Sequence, residues 1–240
     1  MLELNTFSIV ARCERSGELG VAVSSAVPAV GALCPYLVPG IGAVSTQSWV
    51  NPYLAVEVLA AMQAGAPPQV ALDAALARDA DTALRQIGVI GRQGPGVAWT
   101  GDGCTPFCGQ FVGSDFAVQG NMLVGEATLV AMREAWLRTP EADLAERLLG
   151  ALEAGDRAGG DKRGKQSAAL KVVGTEAYAL VDLRVDEHRE PVAELRRVFA
   201  IARVQLFPFV LGMPRRVGEP RALPEAVTRM LLRPPAERGG

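Results

Sequence analysis

The sequence has the length and composition of one globular unit with a sizeable hydrophobic core. Its 240 residues are 49% hydrophobic and 21% charged, which is ordinary for a folded domain and argues against disorder. The formal net charge is −2, from 24 basic and 26 acidic residues, without a long basic run, so we expect no nucleic-acid surface.

The first half of the chain predicts a group of strands followed by a pair of helices. Short apolar or alternating runs, two of them around a Ser-Gly turn, predict strands at 6–12, 17–24 and 40–46. Asn51-Pro52 has the residues that open a helix, and Gly65 ends it. A second helix is predicted over 67–79.

The second half repeats this order. Strands are predicted at 85–91, 96–100, 113–120, 167–173 and 177–185, and helices at 125–137, 141–154 and 190–204. Grouped strands and grouped helices favour an α+β fold of two antiparallel sheets with helices outside. We predict one domain over 6–206, preceded by a leader of residues 1–5. A proline-rich tail over 207–240 follows, with a short helix at 224–232.

No targeting or membrane segment is predicted. The opening Met-Leu-Glu-Leu-Asn lacks the positive and apolar regions of a secretory signal. No apolar run reaches the roughly 18 residues that cross a bilayer, because prolines and glycines interrupt the longest one, 27–44. We therefore expect a cytoplasmic protein.

Cysteine and histidine, the usual ligands of zinc, are few. A zinc site usually needs two close cysteine pairs, or cysteines with histidines, and His188 is the single histidine of the sequence. We expect reduced, packed thiols and no metal or organic cofactor. The four cysteines are Cys13, Cys34, Cys104 and Cys108.

Nucleophilic chemistry has few routes in this sequence. A serine–histidine–acid triad would have to use His188, and there is no Gly-x-Ser-x-Gly motif. A threonine at a chain terminus needs no histidine, because its own α-amine titrates near neutral pH and can act as the base. The residues alone leave Thr6 as such a nucleophile or as a polar residue of the first strand.

Several ordered segments resemble one family. The most specific are Phe-Ala-Val-Gln-Gly-Asn-Met-Leu at 116–123, Gly-Gly-Asp-Lys-Arg-Gly-Lys-Gln-Ser at 159–167 and Val-Asp-Leu-Arg-Val-Asp at 181–186. Further matches lie at 6–12, 17–23, 28–31, 42–47, 51–52 and 86–89. Together they resemble bacterial family 1028 of the domains of unknown function (DUF1028) over roughly residues 6–204.

This resemblance implies a fold and an activity. The fold is the four-layer αββα sandwich of the N-terminal-nucleophile (Ntn) hydrolases, and the activity is amide-bond hydrolysis by an N-terminal residue. Relatives commonly begin Met-Thr-Phe, and the matching threonine here is Thr6. Because residues 1–5 precede it, activity requires cleavage of the Asn5–Thr6 bond. Ala26 stands where relatives often carry a basic residue.

Further polar residues are candidates for contacts with the substrate. Gln119 and Asn121 flank a glycine, and Asn121 either donates to an oxyanion or holds the backbone of a turn. Ser25 and Gln47 lie at the ends of apolar strands, where their side chains can line a cleft. Ser24 or Ser25 is a second candidate nucleophile, although neither has a base nearby.

Two charged segments have both a functional and a structural interpretation. Asp161, Lys162 and Arg163 lie in a glycine-rich loop, which either binds a carboxylate or is a hairpin entry held by an internal ion pair. Charged residues also alternate along a predicted strand, which favours a structural charge ladder over a catalytic group. They are Asp182, Arg184 and Asp186.

The sequence thus predicts an Ntn-type hydrolase that cleaves an amide or peptide bond in a small substrate. Thr6 is the nucleophile and Asn121 an oxyanion donor. We expect a homo-oligomer without nucleic-acid or membrane partners. The rival hypothesis is a catalytically inactive protein of this fold that binds a ligand or supports an assembly.

Overall fold

The computed structural model describes residues 3–4, 6–216, 218–219 and 222–238, with main chain only at 3–4. The rest of the predicted leader and five tail residues lie outside this description. Within it the strands are β1 (Glu3–Leu4), β2 (Thr6–Arg12), β3 (Leu19–Ser25), β4 (Pro35–Val38), β5 (Gly42–Trp49), β6 (Arg85–Gly91), β7 (Val97–Thr100), β8 (Gly109–Val112), β9 (Phe116–Gly120), β10 (Ser167–Val173) and β11 (Ala179–Val185). The helices are α1 (Pro52–Gln63), α2 (Pro68–Leu76), α3 (Ala127–Arg138), α4 (Leu144–Arg157), α5 (Pro191–Gln205), α6 (Phe207–Leu211) and α7 (Glu225–Leu231).

The strands form two antiparallel sheets, which confirms the predicted mixed α+β class. The first sheet has the order β1-β5-β6-β7, with β4 also on β5, and the second has the order β11-β10-β3-β2-β9-β8. The two sheets contact one another mainly through β2, β5, β6 and β9. Helices α1 and α2 pack on the first sheet, and α3, α4 and α5 pack on the second.

The side chains of β2 alternate between two buried layers. Phe7, Ile9 and Ala11 belong to the core under the helices α3 to α5. Val10 belongs to an apolar cluster between the sheets, with residues of β3, β5, β6 and β9. Successive side chains of a strand point to opposite faces, and every residue of β2 is buried. Both faces of β2 are therefore covered, and the strand lies at the centre of the molecule.

Most predicted elements occur near their predicted positions, and those that were missed are short. The 6–12 hairpin with its partner strand is confirmed, although that partner begins at Leu19 rather than at 17. Strands β1, β4 and β8 and helix α6 were not predicted. β8 alternates between half-buried and exposed residues, and such a short edge strand carries little hydrophobic signal. Among the described residues no helix is both long and apolar enough to cross a membrane.

A buried ion pair joins the segment after α2 to the beginning of β6, and hydrogen bonds extend it to the end of β5. Arg85 Nε donates to Asp79 Oδ2 at 2.7 Å, and Arg85 Nη1 donates to the Trp49 carbonyl at 2.8 Å. Asn51, which caps α1 by accepting from Tyr53 N, donates its amide to Asp79 at 3.0 Å. The hydrogen bonds from Arg85 lower the pKa of Asp79 to about 2.

This ion pair predicts an acid-dependent loss of stability. A carboxyl whose pKa is lower in the folded state stabilises the fold above its unfolded pKa, and that contribution disappears as the pH falls through its folded value. We expect about 2 kcal/mol of unfolding free energy to be lost between about pH 4 and pH 2 through Asp79. Denaturant titrations over this range should show a shallower pH dependence for Asp79→Asn than for the parent.

The matched control is Asp73→Asn, since Asp73 is exposed on α2. It should keep the pH dependence of the parent protein. Equal slopes for the parent and Asp79→Asn would contradict the role given to the pair.

Candidate functional site

A polar layer lies between the two sheets where β2 begins. Thr6 and Ser8 project to the same side of β2 as Val10, because alternate residues of a strand share a face. The space between the sheets is therefore apolar around Val10 and polar around Thr6 and Ser8. Both polar side chains are fully buried.

Thr6 is held through its hydroxyl and its carbonyl. Its Oγ1 donates to the Oγ of Ser25, its antiparallel partner on β3, at 3.2 Å. Its carbonyl accepts from the backbone N–H of Asn121 at 3.0 Å and from Gln47 Nε2 at 3.1 Å. The first residue of β2 is thus fixed by both sheets.

Buried amide side chains extend this arrangement into a network. Ser8 Oγ donates to Gln47 Oε1 at 2.6 Å and accepts from Gln119 Nε2 at 2.7 Å. Gln86 Oε1 accepts from Gln47 Nε2 at 2.8 Å and from Asn121 Nδ2 at 2.9 Å. Five neutral side chains therefore fix one another's orientation. Four of them lie on the strands β2, β5, β6 and β9, and that of Asn121 directly follows β9.

Gln86 connects the network to the main chain, and sequence reasoning missed it. Its Nε2 donates to the Gly120 carbonyl at 2.8 Å and to Thr100 Oγ1 at 2.9 Å. Gly88, two residues later on the same face, leaves room for a neighbour, because a Cβ there would lie 2.1 Å from Gln119 Oε1. The available signal was a glutamine inside the apolar segment Gln-Ile-Gly-Val at 86–89.

Two buried oxygen atoms of this layer, Gln119 Oε1 and Asn121 Oδ1, have no hydrogen-bond partner among the described residues, and neither has buried Ser48 Oγ, next to Gln47 on β5. Ser48 has φ +65°, and Met122, directly after Asn121, has φ +51°. Residues other than glycine rarely adopt this left-handed backbone conformation, which costs on the order of 1–3 kcal/mol per residue. Strain and unpaired polar atoms thus occur together around Thr6, a combination typical of functional sites.

The Asn121 side chain presents an acceptor rather than a donor. Its Nδ2 is engaged with Gln86, and the unpaired atom is Oδ1. Turning the amide would place Oδ1 against Gln86 Oε1, which is also an acceptor. The role of this side chain as an oxyanion donor therefore stays a prediction. To take that role, Asn121 Nδ2 would have to give up its hydrogen bond to Gln86.

The glycine-rich loop lies beside the polar layer. Buried Asp161 accepts from Ala26 N at 3.3 Å and from Arg163 N at 2.9 Å. The Arg163 guanidinium pairs with Asp161 at 3.2 Å, and Lys162 Nζ donates to the Pro106 carbonyl at 3.0 Å. The loop thus contains an internal ion pair and packs against the residue after β3.

The structure therefore brings together Thr6, Ser25, Gln47, Gln119 and Asn121, and it places the loop of Asp161, Lys162 and Arg163 next to them. Thr6 is 0% exposed in this uncut chain. Surface cavities of about 520 and 240 Å³ lie elsewhere, the first beside the β6–β7 turn and the second beside α6.

Other sequence candidates lie apart from this cluster. Ser24 Oγ donates to the Ser167 carbonyl instead of facing Thr6. His188 is exposed and accepts from Glu190 N. The alternating charges of β11 and of the residue after it are exposed, with Arg184 paired to Asp186 and Asp182 to Lys171. The described residues contain no group of three or more His, Cys, Asp or Glu side chains suited to a metal ion.

Comparison with known proteins gives one family. The model of a family described as a family of unknown function, DUF1028, matches residues 6–195. A DUF1028 protein of known structure, SPO2555 from Silicibacter pomeroyi, has 27% sequence identity and a TM-score of 0.79, over 86% of this chain and 93% of that chain. No curated protein matches the sequence.

Weaker structural likenesses are to Anbu (ancestral beta-subunit) proteins. Anbu from Yersinia bercovieri has 12% identity and a TM-score of 0.38, over 87% of this chain and 100% of that chain. Anbu from Hyphomicrobium sp. strain MC1 has 13% identity and a TM-score of 0.43, over 88% of this chain and 100% of that chain.

The buried network predicts a large cost for removing its central member. Gln86→Leu removes the side-chain partner of Asn121 Nδ2 and of the Gly120 carbonyl, and it removes one of the acceptors of Gln47 Nε2. Since each buried unpaired group costs about 1–3 kcal/mol, we expect the free energy of unfolding to fall by at least about 2 kcal/mol. Denaturant unfolding measures this loss.

Gln93→Leu makes the same chemical change at an exposed position between β6 and β7. It should shift the free energy of unfolding by about 0.5 kcal/mol or less. Equal losses for the two variants would show that the network does not stabilise the fold.

Proposed function

We propose that this chain, which belongs to the DUF1028 family, is an Ntn-type hydrolase that cleaves an amide or peptide bond in a small substrate. Thr6 is the nucleophile, after removal of residues 1–5. The observation that carries the proposal is the placement of Thr6 at the start of a central strand, buried between two sheets, with its hydroxyl on Ser25 and its carbonyl held twice. The helix–sheet–sheet–helix contacts support the four-layer αββα sandwich of that fold.

The uncut chain lacks the base that this chemistry needs. As an amide, the nitrogen of Thr6 cannot accept a proton, because its lone pair is delocalised into the peptide bond. Attack of Thr6 Oγ1 on the Asn5 carbonyl forms an ester, breaks the C–N bond and transfers the hydroxyl proton to the nitrogen. Water then hydrolyses the ester, which releases the leader and leaves Thr6 with a free amine and a free hydroxyl. The Asn5–Thr6 bond itself lies outside the described residues.

The polar layer would act mainly by positioning. Gln47 and the backbone N–H of Asn121 hold the Thr6 carbonyl, so the hydroxyl and the nitrogen on the same residue keep a fixed orientation. Ser25 Oγ accepts from the hydroxyl in the uncut chain. The unpaired Asn121 Oδ1 offers an acceptor for the N–H groups of a freed amine. A fixed orientation of reacting groups is itself a large part of enzymatic rate enhancement.

The chemistry proposed here uses no metal or organic cofactor. Lys162 and Arg163 belong to the loop beside the polar layer, and a cationic loop there suits a substrate that carries a carboxylate. Arg163 already pairs with buried Asp161, whereas the Lys162 ammonium makes one exposed contact with a carbonyl. Lys162 is therefore the freer of the two to bind an anionic group.

The rival function is a non-catalytic binding or assembly protein. Ala26 and the full burial of Thr6 favour it, and so do exposed apolar side chains on α1 and α2. Tyr53, Val56 and Val70 are 73%, 51% and 57% exposed there, and exposed apolar residues that lie together mark contact surfaces. These residues support the proposed homo-oligomer under either function.

The nucleophile assignment predicts linked losses of cleavage and activity. Thr6→Ala should keep residues 1–5 and show no hydrolase activity, because no hydroxyl is available. Thr6→Ser should keep part of both. Intact mass and N-terminal sequencing measure the cleavage. Labelling by a β-lactone that acylates terminal threonines measures whether the nucleophile is present and reactive.

Ser24→Ala is the matched control, since Ser24 is buried one residue from Ser25 but bonds to Ser167. It should be processed like the parent protein. Fully active protein that still begins before Thr6 would refute the assignment and favour the binding function.

The loop assignment predicts a change in substrate binding. Lys162→Ala should raise KM about tenfold for a peptide with a free carboxylate and change kcat by less than about twofold, as loss of uniform binding does. Its unfolding free energy should change by at most about 1 kcal/mol.

Lys171→Ala, which removes an exposed lysine paired with Asp182, is the control and should leave KM unchanged. The methyl ester of the same peptide should not distinguish Lys162→Ala from the parent protein. An unchanged KM for Lys162→Ala with the free carboxylate would rule out this role.

A further inference from the structure

We propose that the edge of β5 at Ser48 and Trp49 binds the acyl part of the substrate, and that this part is a peptide segment in extended conformation. The inference rests on the proposed function and deepens it, because it selects peptides from the wider class of amides. The main observation behind it is the position of β1 within the first sheet.

The outer edge of β5 is divided between segments of the chain. β4 pairs along Gly42 to Ser45, and the next N–H, of Thr46, donates to the Cys34 carbonyl at 3.1 Å. Beyond this point β1 continues the edge, with Leu4 opposite Ser48 and Glu3 opposite Trp49. The family match begins at residue 6, so the strand that covers this last part of the edge comes from outside the matched region.

The leader and a substrate would reach the nucleophile as the same kind of ester. In processing, Thr6 Oγ1 becomes esterified to the carbonyl of residue 5, with residues 3 and 4 on the acyl side. In turnover, Thr6 Oγ1 becomes esterified to the acyl part of the substrate, and the amine leaves with the other part. Both esters are hydrolysed by water to a carboxylate and the threonine hydroxyl, so one acyl site serves both.

The position occupied by β1 therefore indicates the chemistry of that site. Antiparallel pairing is made by main-chain N–H and C=O groups, which recognise an extended peptide whatever its side chains. On the other side of β5, Ser48 pairs with Arg85 of β6, so removal of β1 leaves a one-sided edge open to a new strand. The strained φ and unpaired Oγ of Ser48 lie at this point of the edge.

A substrate that fills this edge supplies at least three residues before the cleaved bond. Two pair with β5 in place of Glu3 and Leu4, and the third provides the carbonyl. An acyl group of one residue reaches Thr6 without covering the edge. The length of the acyl part is therefore the property to vary.

The test uses protein that begins at Thr6, obtained by its own processing or by expression from a methionine directly before Thr6. Its substrates are aminocoumarin amides of acetyl-Leu-Glu-Leu-Asn and of acetyl-Asn. We expect kcat/KM for the longer amide to be at least about tenfold higher, the effect of one or two hydrogen bonds. N-methylation of both the Glu and the second Leu should remove this gain. N-methylation of the first Leu is the control and should leave it.

Labelling of Thr6 by a small β-lactone, which does not span the edge, separates the two proposals. Labelling together with equal kcat/KM for both amides, or with no effect of N-methylation, overturns the peptide site and leaves the hydrolase standing. Absence of labelling and of hydrolysis overturns the proposed function, and the acyl site with it.

Discussion

The two hydrogen bonds on the carbonyl of Thr6 are the constraint on which the rest of the polar layer depends. One comes from the backbone after β9 and the other from Gln47 of the facing sheet. To reach Thr6, Gln47 must be oriented by Ser8 and Gln86, and Gln86 must be anchored on the main chain. In a low-dielectric interior such a network is stable only when nearly all its members are satisfied, so the distance between the sheets is fixed at this end by hydrogen bonds.

Much of the fold follows from the sequence because both faces of the central strands are buried. Two kinds of element depend mainly on local sequence. The first are strands with alternating or continuous apolar residues, such as 6–12 and 85–91. The second are helices with clear end signals, such as the one that begins at Asn51-Pro52. β4 and β8 depend instead on the edges to which they are added. Their own residues are half exposed, so pairing rather than composition determines them.

The candidate site was predictable in part for a related reason. Thr6, Ser25, Gln47, Gln119 and Asn121 are polar residues at strand ends, and the structure brings them together. Gln86 was missed because a polar residue near the beginning of an apolar strand is common, and the sequence does not show that this one is buried. The hydrogen-bond direction at Asn121 was not predictable either, since it depends on which atom Gln86 offers from the facing sheet.

Gly88 and Gln119 have a consequence for how sequences of this fold can diverge. The side chain of residue 119 on one sheet fills the space that residue 88 on the other leaves empty. Neither position can therefore change alone: a side chain at 88 requires a shorter residue at 119, and a shorter residue at 119 opens a void and removes the hydrogen bond that Ser8 Oγ accepts from Gln119. A change at either position therefore has to be matched at the other, although 30 residues of chain lie between them.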